Sequence, residues 1–197
     1  MVPSDEHRRP DITLQFLSRL KFIFAEIVSV TTGNSLRIND GIAALFLRRE
    51  DDANGRGIVA HIRLVRWASA ALTSNTKGYS PIIAFRRVPD RTTLTVDDLD
   101  AVELNETSAA WVLIAQQCTG LDSDRMNPNG GAIAMGHPVG ATGARLCVKF
   151  VCERRAGALR RDPVTNCIGT GQSFAVALSH VKKNGRDRRS AWQLTSR

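Results

Sequence analysis

The apolar residues near the start of the chain recur with the spacing of a helix. They fall at i, i+4, i+7 and i+8: Phe16, Leu20, Ile23 and Phe24. This spacing places them on one face of an α-helix. Asp11 precedes the run, and aspartate caps helix N-termini because its carboxylate accepts hydrogen bonds from free backbone N–H groups. The pattern therefore predicts an amphipathic helix that begins at Asp11.

Three segments farther along have the patterns of strands. Residues 41–47 form a short apolar run, which is typical of a strand buried on both faces. Across residues 58–65 apolar side chains occupy every second position, and this alternation predicts a strand with one face toward the core. Residues 102–104 predict a further, shorter strand.

Helices and two more strands follow. Residues 109–117 predict a helix, and Thr142 is a candidate N-cap for the next one. The apolar residues after Thr142 share one helix face: Ala144, Cys147, Val148 and Val151. Residues 164–168 and 173–178 predict two strands around a turn at residues 169–171. Strands that alternate with helices predict an α/β layered domain, with a mixed sheet and helices on both faces.

Two segments contain residues that disfavour a helix. Residues 48–57 include two aspartates, an asparagine and two glycines, all weak helix formers. Pro89 interrupts residues 84–92, and a proline inside a helix costs about 3 kcal/mol. We therefore expect no good helix over residues 48–57 and a helix broken at Pro89.

The composition is ordinary for a globular protein, with 43% hydrophobic and 23% charged residues. No apolar run approaches the length of a membrane span, and the first residues lack the apolar core of a signal peptide. We therefore expect no membrane association and, by default, a cytoplasmic location. The four cysteines have no Cys-x-x-Cys spacing, so we expect free thiols and no metal site.

The formal net charge of +8 raises the possibility of nucleic-acid binding, but its distribution argues against it. Residues 181–197 carry six basic residues and one acidic residue, so this tail supplies +5 of the total. The aromatic content of 6% leaves few side chains on which bases could stack. We predict a solvated, disordered basic tail and regard nucleic-acid binding as the less favoured alternative.

One glycine-rich string, Asn129-Gly130-Gly131-Ala132-Ile133-Ala134-Met135-Gly136-His137-Pro138, carries the candidate chemistry. Thirty residues after His137 comes Cys167-Ile168-Gly169-Thr170-Gly171. Imidazole and thiol groups both titrate close enough to neutral pH to exchange protons during a reaction. Glycines allow backbone N–H groups to approach a small substrate closely. The pattern therefore predicts a His/Cys proton-transfer site.

Together these two motifs strongly resemble the C-terminal catalytic half of thiolases. Several further blocks lie before these motifs in the sequence, and they occur in the same order as the corresponding thiolase segments. They are Asp5-Glu6-His7, Thr32-Gly33-Asn34-Ser35, Ile38-Asn39-Asp40-Gly41, Asp97-Asp98-Leu99-Asp100 and Glu103-Leu104-Asn105-Glu106. The resemblance implies the layered thiolase fold. It also implies three regions: the end of a loop or N-terminal region at residues 1–27, the C-terminal thiolase domain at residues 28–180, and the basic tail at residues 181–197.

The resemblance implies a role for each of four residues in acyl transfer between 3-ketoacyl-CoA and CoA. His137 would activate the nucleophilic cysteine and contribute to an oxyanion hole, and Cys167 would act as general acid and base. Asn105 would hold a water beside the histidine, and the backbone N–H of Gly169 would bind a second oxyanion. The structural alternatives are a histidine packed in a turn, a buried strand cysteine and a strand-end cap. Coenzyme A would be a substrate, with no covalently bound cofactor.

Some positions depart from the family pattern. Leu36 and Arg37 stand where many thiolases have Ser-Gly beside the pantetheine arm, and Thr107-Ser108 replaces Ala-Phe. Thiolases carry the acyl-accepting cysteine in their N-terminal half, and no cysteine here lies in such a motif. We therefore expect no turnover by this chain alone, which would need an N-terminal half as partner. We also expect that it can form a homo-oligomer, but two copies would still lack the nucleophile. The alternatives are an inactive relative that binds CoA or a thiolase, and an unrelated basic interaction module.

Overall fold

The fold is built on one mixed sheet of four strands. The structure is a computed structural model that describes residues 9–23, 29–88, 95–155, 161–167 and 171–181. The strands are β1 (Ile62–Ala71), β2 (Glu103–Leu104), β3 (Arg161–Cys167) and β4 (Gln172–His180). They lie in the order β1-β4-β3-β2. β4 pairs antiparallel with β1 and β3, whereas β2 runs parallel to β3.

Six α-helices accompany this sheet in the described residues. They are α1 (Leu14–Ser18), α2 (Glu50–Gly55), α3 (Ser80–Arg87), α4 (Ala109–Thr119), α5 (Ala132–Met135) and α6 (Thr142–Arg155). Short 3-10 turns cover Ser74–Tyr79, Val96–Asp98 and Ser123–Arg125. In the same residues, no helix has the length and apolar character that crossing a bilayer requires.

The alternation of side chains along β4 places helices on both faces of the sheet. Ala175 and Ala177 pack with Ala84 and Val88 at α3. Val176 and Leu178 point the other way, because successive strand residues face opposite sides, and they pack with residues of α6. The small alanines let α3 approach closely, while the larger residues fill the space beneath α6. The predicted layered mixed sheet with helices on both faces is confirmed.

A third apolar cluster joins α3 and α4 to the end of β2. Ile82 and Phe85 of α3 meet Ala115 of α4 and Leu104 of β2 in this cluster. α4 confirms the helix predicted over residues 109–117. It ends at Gly120, whose φ of 71° is the left-handed conformation that glycine adopts without steric cost. The cluster therefore packs against the end of β2, and Asn105 is the residue that follows this strand.

Two predictions were wrong near the start of the chain. Thr13, not Asp11, caps the first helix, because the Thr13 hydroxyl accepts a hydrogen bond from the Phe16 N–H at 3.1 Å. The helix spans only one turn and a half, and Phe24 of the predicted apolar face lies outside the described residues. Residues 41–47 form no strand, and Ile42 is 96% exposed. An apolar run predicts a buried segment, but the segment is buried only if another part of the protein packs against it.

Residues 48–57 contain the helix α2 although they are weak helix formers. The expectation that no good helix would form there was therefore wrong. Glu50, Asp51 and Asp52 lie in its first turn, where negative charge stabilises a helix. The Arg56 Nε also donates to Asp52 Oδ1 at 2.7 Å, one turn away. α3 ends at Arg87, and Pro89 itself lies outside the described residues.

The strand predicted over residues 58–65 lies later in the chain. β1 begins at Ile62 and continues to Ala71, paired with β4 from Ile62 opposite His180 to Ala71 opposite Gln172. Its second half contains Ala68 and Ala70, which pack against α3. The alternation of larger apolar residues stops before these alanines, so the sequence pattern missed half of the strand. The predicted strands near residues 164–168 and 173–178 correspond to β3 and β4.

Candidate active site

His137 lies in a loop that a second segment of the chain holds from the side. Its backbone N–H donates to the Arg37 carbonyl at 2.7 Å, and Ile38 forms an isolated parallel bridge with His137. The preceding residue, Gly136, has a φ of 88°, and a Cβ there would lie 2.7 Å from the Asn39 side chain. A residue other than glycine would be strained by this φ and would collide with Asn39.

The segment that holds His137 also reaches the end of β2. Ser35 forms an antiparallel bridge with Ser108, and the Leu36 N–H donates to the Thr107 carbonyl at 3.3 Å. Residues 34–41 therefore contact both the polypeptide that follows Asn105 and the loop that carries His137. Three of the motifs in the sequence thus meet in space, although Asn105 and His137 are far apart in the chain.

The hydrogen bonds of Thr142 define the protonation of the His137 ring. Its hydroxyl donates to the Pro138 carbonyl at 3.0 Å and lies 2.7 Å from His137 Nδ1. A threonine hydroxyl has a single proton, so its oxygen must accept the proton carried by Nδ1. His137 Nε2 therefore keeps its lone pair and can accept a proton. Thr142, predicted as a cap, is the first residue of α6 and orients the histidine.

The surroundings of His137 favour its neutral form. Burial lowers the pKa of His137 below its usual value, because a partly desolvated ring is harder to charge. The positive Arg145 guanidinium lowers it further. Both effects favour the uncharged imidazole, in which Nε2 is the basic nitrogen. This is the state that a general base requires.

Asn105 follows β2 and is only 4% exposed. Its side-chain oxygen Oδ1 is buried and, within the described residues, meets no hydrogen-bond donor. A buried acceptor without a partner costs about 1–3 kcal/mol, so such a group is unusual in a structural cap. The predicted role of Asn105 in holding a water and the alternative of a strand-end cap both stay predictions.

Glu106 is a residue of the site whose contacts were not anticipated. Its Oε1 accepts from Asn127 Nδ2 at 2.8 Å, and its Oε2 accepts from the Ile133 N–H at 3.0 Å. A Cβ on Gly131 would lie 2.1 Å from the Glu106 Cδ. Gly131 of the motif therefore makes room for this carboxylate, and the sequence signals for Glu106 were this glycine and the Asn105-Glu106 pair.

A buried ionic cluster supports the start of the glycine-rich string. Lys149 Nζ in α6 donates to both Glu103 oxygens, at 2.7 and 2.8 Å, and to the Gly130 carbonyl at 2.8 Å. Asn129 Nδ2 donates to Glu153 Oε1 at 2.6 Å. Burial raises the pKa of Glu103 to about 7, although the positive Lys149 opposes the shift. In the sequence, the signal for this cluster was the charged residue Glu103 inside an otherwise apolar strand.

The predicted residues at the C-terminal end are described only in part. Cys167 ends β3, with its backbone opposite Ser173 in β4. Leu104 pairs in parallel with Thr165, so Asn105 and Cys167 leave neighbouring strands at the same edge of the sheet. Gly169 lies outside the described residues, as do Asp5-Glu6-His7 and the tail from residue 182.

The remaining cysteines lie away from these residues in the sequence. Cys118 and Cys147 are half-buried free thiols and Cys152 is an exposed one. Burial raises the pKa of the Cys147 thiol, which keeps it protonated. Throughout the described ranges, no three His, Cys, Asp or Glu side chains are grouped as metal ligands would be.

Comparison with known proteins gives a consistent result. Residues 58–180 match the family described as thiolase, C-terminal domain. The chain is 40% identical over 183 residues to a beta-ketoadipyl-CoA thiolase of Pseudomonas knackmussii, covering 92% of this chain and 46% of that relative. It is 41% identical over 182 residues to a 3-oxoadipyl-CoA/3-oxo-5,6-dehydrosuberyl-CoA thiolase of Escherichia coli, covering 91% and 45%.

Solved structures agree with the sequence comparison. The crystal structure of the Bacillus anthracis acetyl-CoA acetyltransferase superimposes with a TM-score of 0.85 at 34% identity, covering 90% of this chain and 45% of that one. The human mitochondrial 3-ketoacyl-CoA thiolase superimposes with a TM-score of 0.78 at 31% identity. The chain spans about half the length of the relatives that it matches. With this fold, these motifs and these relatives, the chain belongs to the thiolase family and corresponds to its C-terminal half.

Proposed function

We propose that this chain supplies the acid-base half of a thiolase-type acyltransferase, which moves acyl groups between 3-ketoacyl-CoA and CoA. The observation that carries the proposal is the state of His137. Its Nδ1 proton is committed to Thr142, and Thr142 in turn donates to Pro138. The Nε2 atom of His137 is left basic. Burial and the positive Arg145 both lower the pKa of His137. A turn histidine with a purely structural role needs none of these features.

In the thiolysis direction, a cysteine thiolate attacks the ketone carbon of the 3-ketoacyl-CoA. The bond between C2 and C3 then breaks, and C2 leaves as the carbanion of acetyl-CoA. Cys167 protonates that carbanion, while His137 deprotonates the attacking thiol at the outset. Cys167, now a thiolate, then takes the proton of the CoA thiol, and the CoA sulfur attacks the acyl-cysteine. The bond between the acyl carbon and the cysteine sulfur breaks, and the departing cysteine thiolate regains its proton from His137. The unpartnered Oδ1 of Asn105 is suited to orient a water beside His137, and the N–H of Gly169 would bind the second oxyanion.

The nucleophilic cysteine belongs, in this proposal, to a second polypeptide half. The exposed apolar residues of one segment form a surface for it, which we call the apolar strip: Ile38, Ile42, Phe46 and Leu47. The strip continues directly from the residues that hold His137. Arg145 Nε and Nη2 are also buried and have no acceptor among the described residues. A docking partner with apolar side chains would bury the apolar strip. A hydrogen-bond acceptor on the same partner would pair with the Arg145 guanidinium.

The test is reconstitution with the separately expressed N-terminal half of one of the relatives named above. We expect CoA-dependent consumption of acetoacetyl-CoA by the mixture and not by either half alone. His137→Ala and Cys167→Ala should each lower this rate by about 10²–10⁴, the usual contribution of a general acid or base. His61→Ala, an exposed histidine in no motif, is the matched control. Equal rates for the His137 and His61 variants would contradict the proposal.

A second candidate function is CoA binding without turnover. It is favoured by one observation: no cysteine of this chain lies in a motif of the kind that carries the acyl-accepting thiol of thiolases. Calorimetric titration of the isolated chain with CoA distinguishes the two functions when combined with reconstitution. Binding together with failed reconstitution by every half tried supports this candidate, whereas restored turnover excludes it.

A further inference from the structure

We propose that Glu106 is the positioning residue that sets the His137 loop against Asn105. The inference rests on the proposed function, because it treats those two residues as parts of one site. Glu106 directly follows Asn105 and accepts the Ile133 N–H, at 3.0 Å, near the start of α5. α5 spans four residues and leads through Gly136 into His137. One side chain therefore connects the backbone at Asn105 to the short element that delivers the imidazole.

The second bond of Glu106 joins the same site to the end of β2. Asn127 Oδ1 accepts the Leu104 N–H at 2.8 Å, and its Nδ2 donates to the Leu104 carbonyl at 2.9 Å. This arrangement defines which end of the amide faces Glu106. Nδ2 has a remaining proton, which it donates to Glu106 Oε1 at 2.8 Å. The partner offered by Asn127 is consequently a donor and not an acceptor.

Both groups that converge on Glu106 can only donate. Ile133 contributes a backbone N–H and Asn127 an amide N–H. A side chain that satisfies two donors on separate oxygens must offer two acceptors, and a carboxylate does so. Glutamine has nearly the same shape, but one of its oxygens is replaced by an amino group. In Glu106→Gln one of the two contacts would join a donor to a donor, and that contact would open.

The space around the carboxylate is shaped for it. Gly131 precedes α5, and its Cβ position would lie 2.3 Å from both Glu106 oxygens. Since real Cβ atoms never approach oxygens so closely, any side chain at Gly131 would displace the carboxylate or the helix. Glu106 is half-buried, so solvent cannot fully replace the lost contacts in a variant.

The test uses the complete 197-residue chain, labelled with ¹⁵N, and needs no catalytic turnover. The pKa and tautomer of His137 are measured from its imidazole nitrogens, with its signals assigned by comparison with His137→Gln. Variants are Glu106→Gln, Glu106→Ala and Glu106→Asp. Glu50→Gln removes an exposed carboxylate and is the control for charge. Val88→Ala, in the cluster between α3 and the sheet, is the control for a general loss of stability.

The direction of the shift separates positioning from simple electrostatics. Loosening α5 exposes His137, so its lowered pKa should rise toward the ordinary value, and the share of the Nδ1–H tautomer should fall. Removing a nearby negative charge would instead lower the histidine pKa. We expect the rise in Glu106→Gln and Glu106→Ala, a smaller one in Glu106→Asp, and none in either control. An unchanged or lowered pKa in both Glu106→Gln and Glu106→Ala would overturn the proposal.

Failure of this proposal is distinguishable from failure of the proposed function. The His137 pKa and tautomer report the geometry of the loop whether or not the chain supports acyl transfer. Reconstituted turnover that survives in Glu106→Gln with unchanged kcat, together with an unmoved His137 pKa, would reject the positioning role alone. A moved pKa in a chain that reconstitutes no activity would support the positioning role and reject the acyl-transfer function.

Discussion

At the scale of single residues, Glu103 lies in a buried strand, 1% exposed, and its carboxyl group meets Lys149 on both oxygens. Burial raises its pKa from 4.5 to about 7. The folded protein therefore holds this proton more tightly than the unfolded chain does. Its contribution to stability is complete below pH 4.5 and is lost as the pH rises through about 7.

Glu103→Gln should remove this pH dependence. A difference of about 2.5 pKa units corresponds to about 3 kcal/mol, so the stability of the wild type relative to Glu103→Gln should fall by that amount between pH 4.5 and 8. Urea unfolding at both pH values measures it, with Glu50→Gln as the exposed control. If the difference in stability between wild type and Glu103→Gln stays constant across this pH range, burial does not raise the pKa of Glu103.

Asn127 is a second residue whose effect can be stated in advance. Asn127→Ala leaves the buried N–H and carbonyl of Leu104 without partners, and it also places alanine at a φ of 47°. Unpaired buried groups cost about 1–3 kcal/mol each, so we expect the loss of two partners to lower the free energy of unfolding by roughly 2–6 kcal/mol. Asn127→Asp keeps the bond to the Leu104 N–H but turns an oxygen toward the Leu104 carbonyl and the Glu106 carboxylate, so it should cost at least as much as Asn127→Ala. A clearly smaller loss in Asn127→Asp than in Asn127→Ala would contradict this explanation.

At the scale of elements, α5 depends on the glycine that precedes it more than on its own four residues. Gly131→Ala places a methyl group 2.1 Å from Glu106 Cδ, so either the carboxylate or the start of α5 must move. We expect reconstituted turnover to fall at least about tenfold, because misplaced catalytic groups lose rate steeply. Gly55→Ala is the matched control, since no atom lies within 4 Å of its Cβ position. A full rate in Gly131→Ala would contradict the predicted displacement.

The elements that local patterns predicted correctly share one property. α4 and α6 have long apolar faces and clear ends, and β4 alternates between two buried faces, so spacing alone identifies them. The wrong predictions concern short or exposed segments. The helix at α2 forms through charge at its first turn, and residues 41–47 have no strand beside them in the described structure. Both outcomes depend on contacts that periodicity does not record.

At the scale of the whole molecule, the apolar strip is one exposed surface that the described residues do not cover. Phe46 is 80% exposed and Leu47 is 74% exposed, and solvated apolar side chains in one patch favour association. The relatives are about twice as long as this chain, which supports our proposal that an N-terminal half covers the strip.

Phe46→Ser should therefore weaken association with the N-terminal half of a relative. Burying one phenylalanine side chain contributes about 1.5–3 kcal/mol, so the dissociation constant should rise by about 10- to 150-fold. Leu14→Ser, at an exposed leucine of α1, is the matched control. Sedimentation or titration of the labelled halves gives both constants. Identical constants for the two variants would exclude the strip from the contact.

The amino-acid sequence by itself determined the layered α/β class, the long helices, and the glycine-rich and cysteine motifs with their order. It did so because these features depend on neighbouring residues. The tertiary structure alone decided that Glu106 reaches Ile133 and that Lys149 reaches Glu103, pairs separated by 27 and 46 positions. It also decided which nitrogen of His137 is basic, through the two hydrogen bonds of Thr142. Such contacts form only when distant segments pack together, and a linear pattern of apolar and polar residues carries no record of which segments those are.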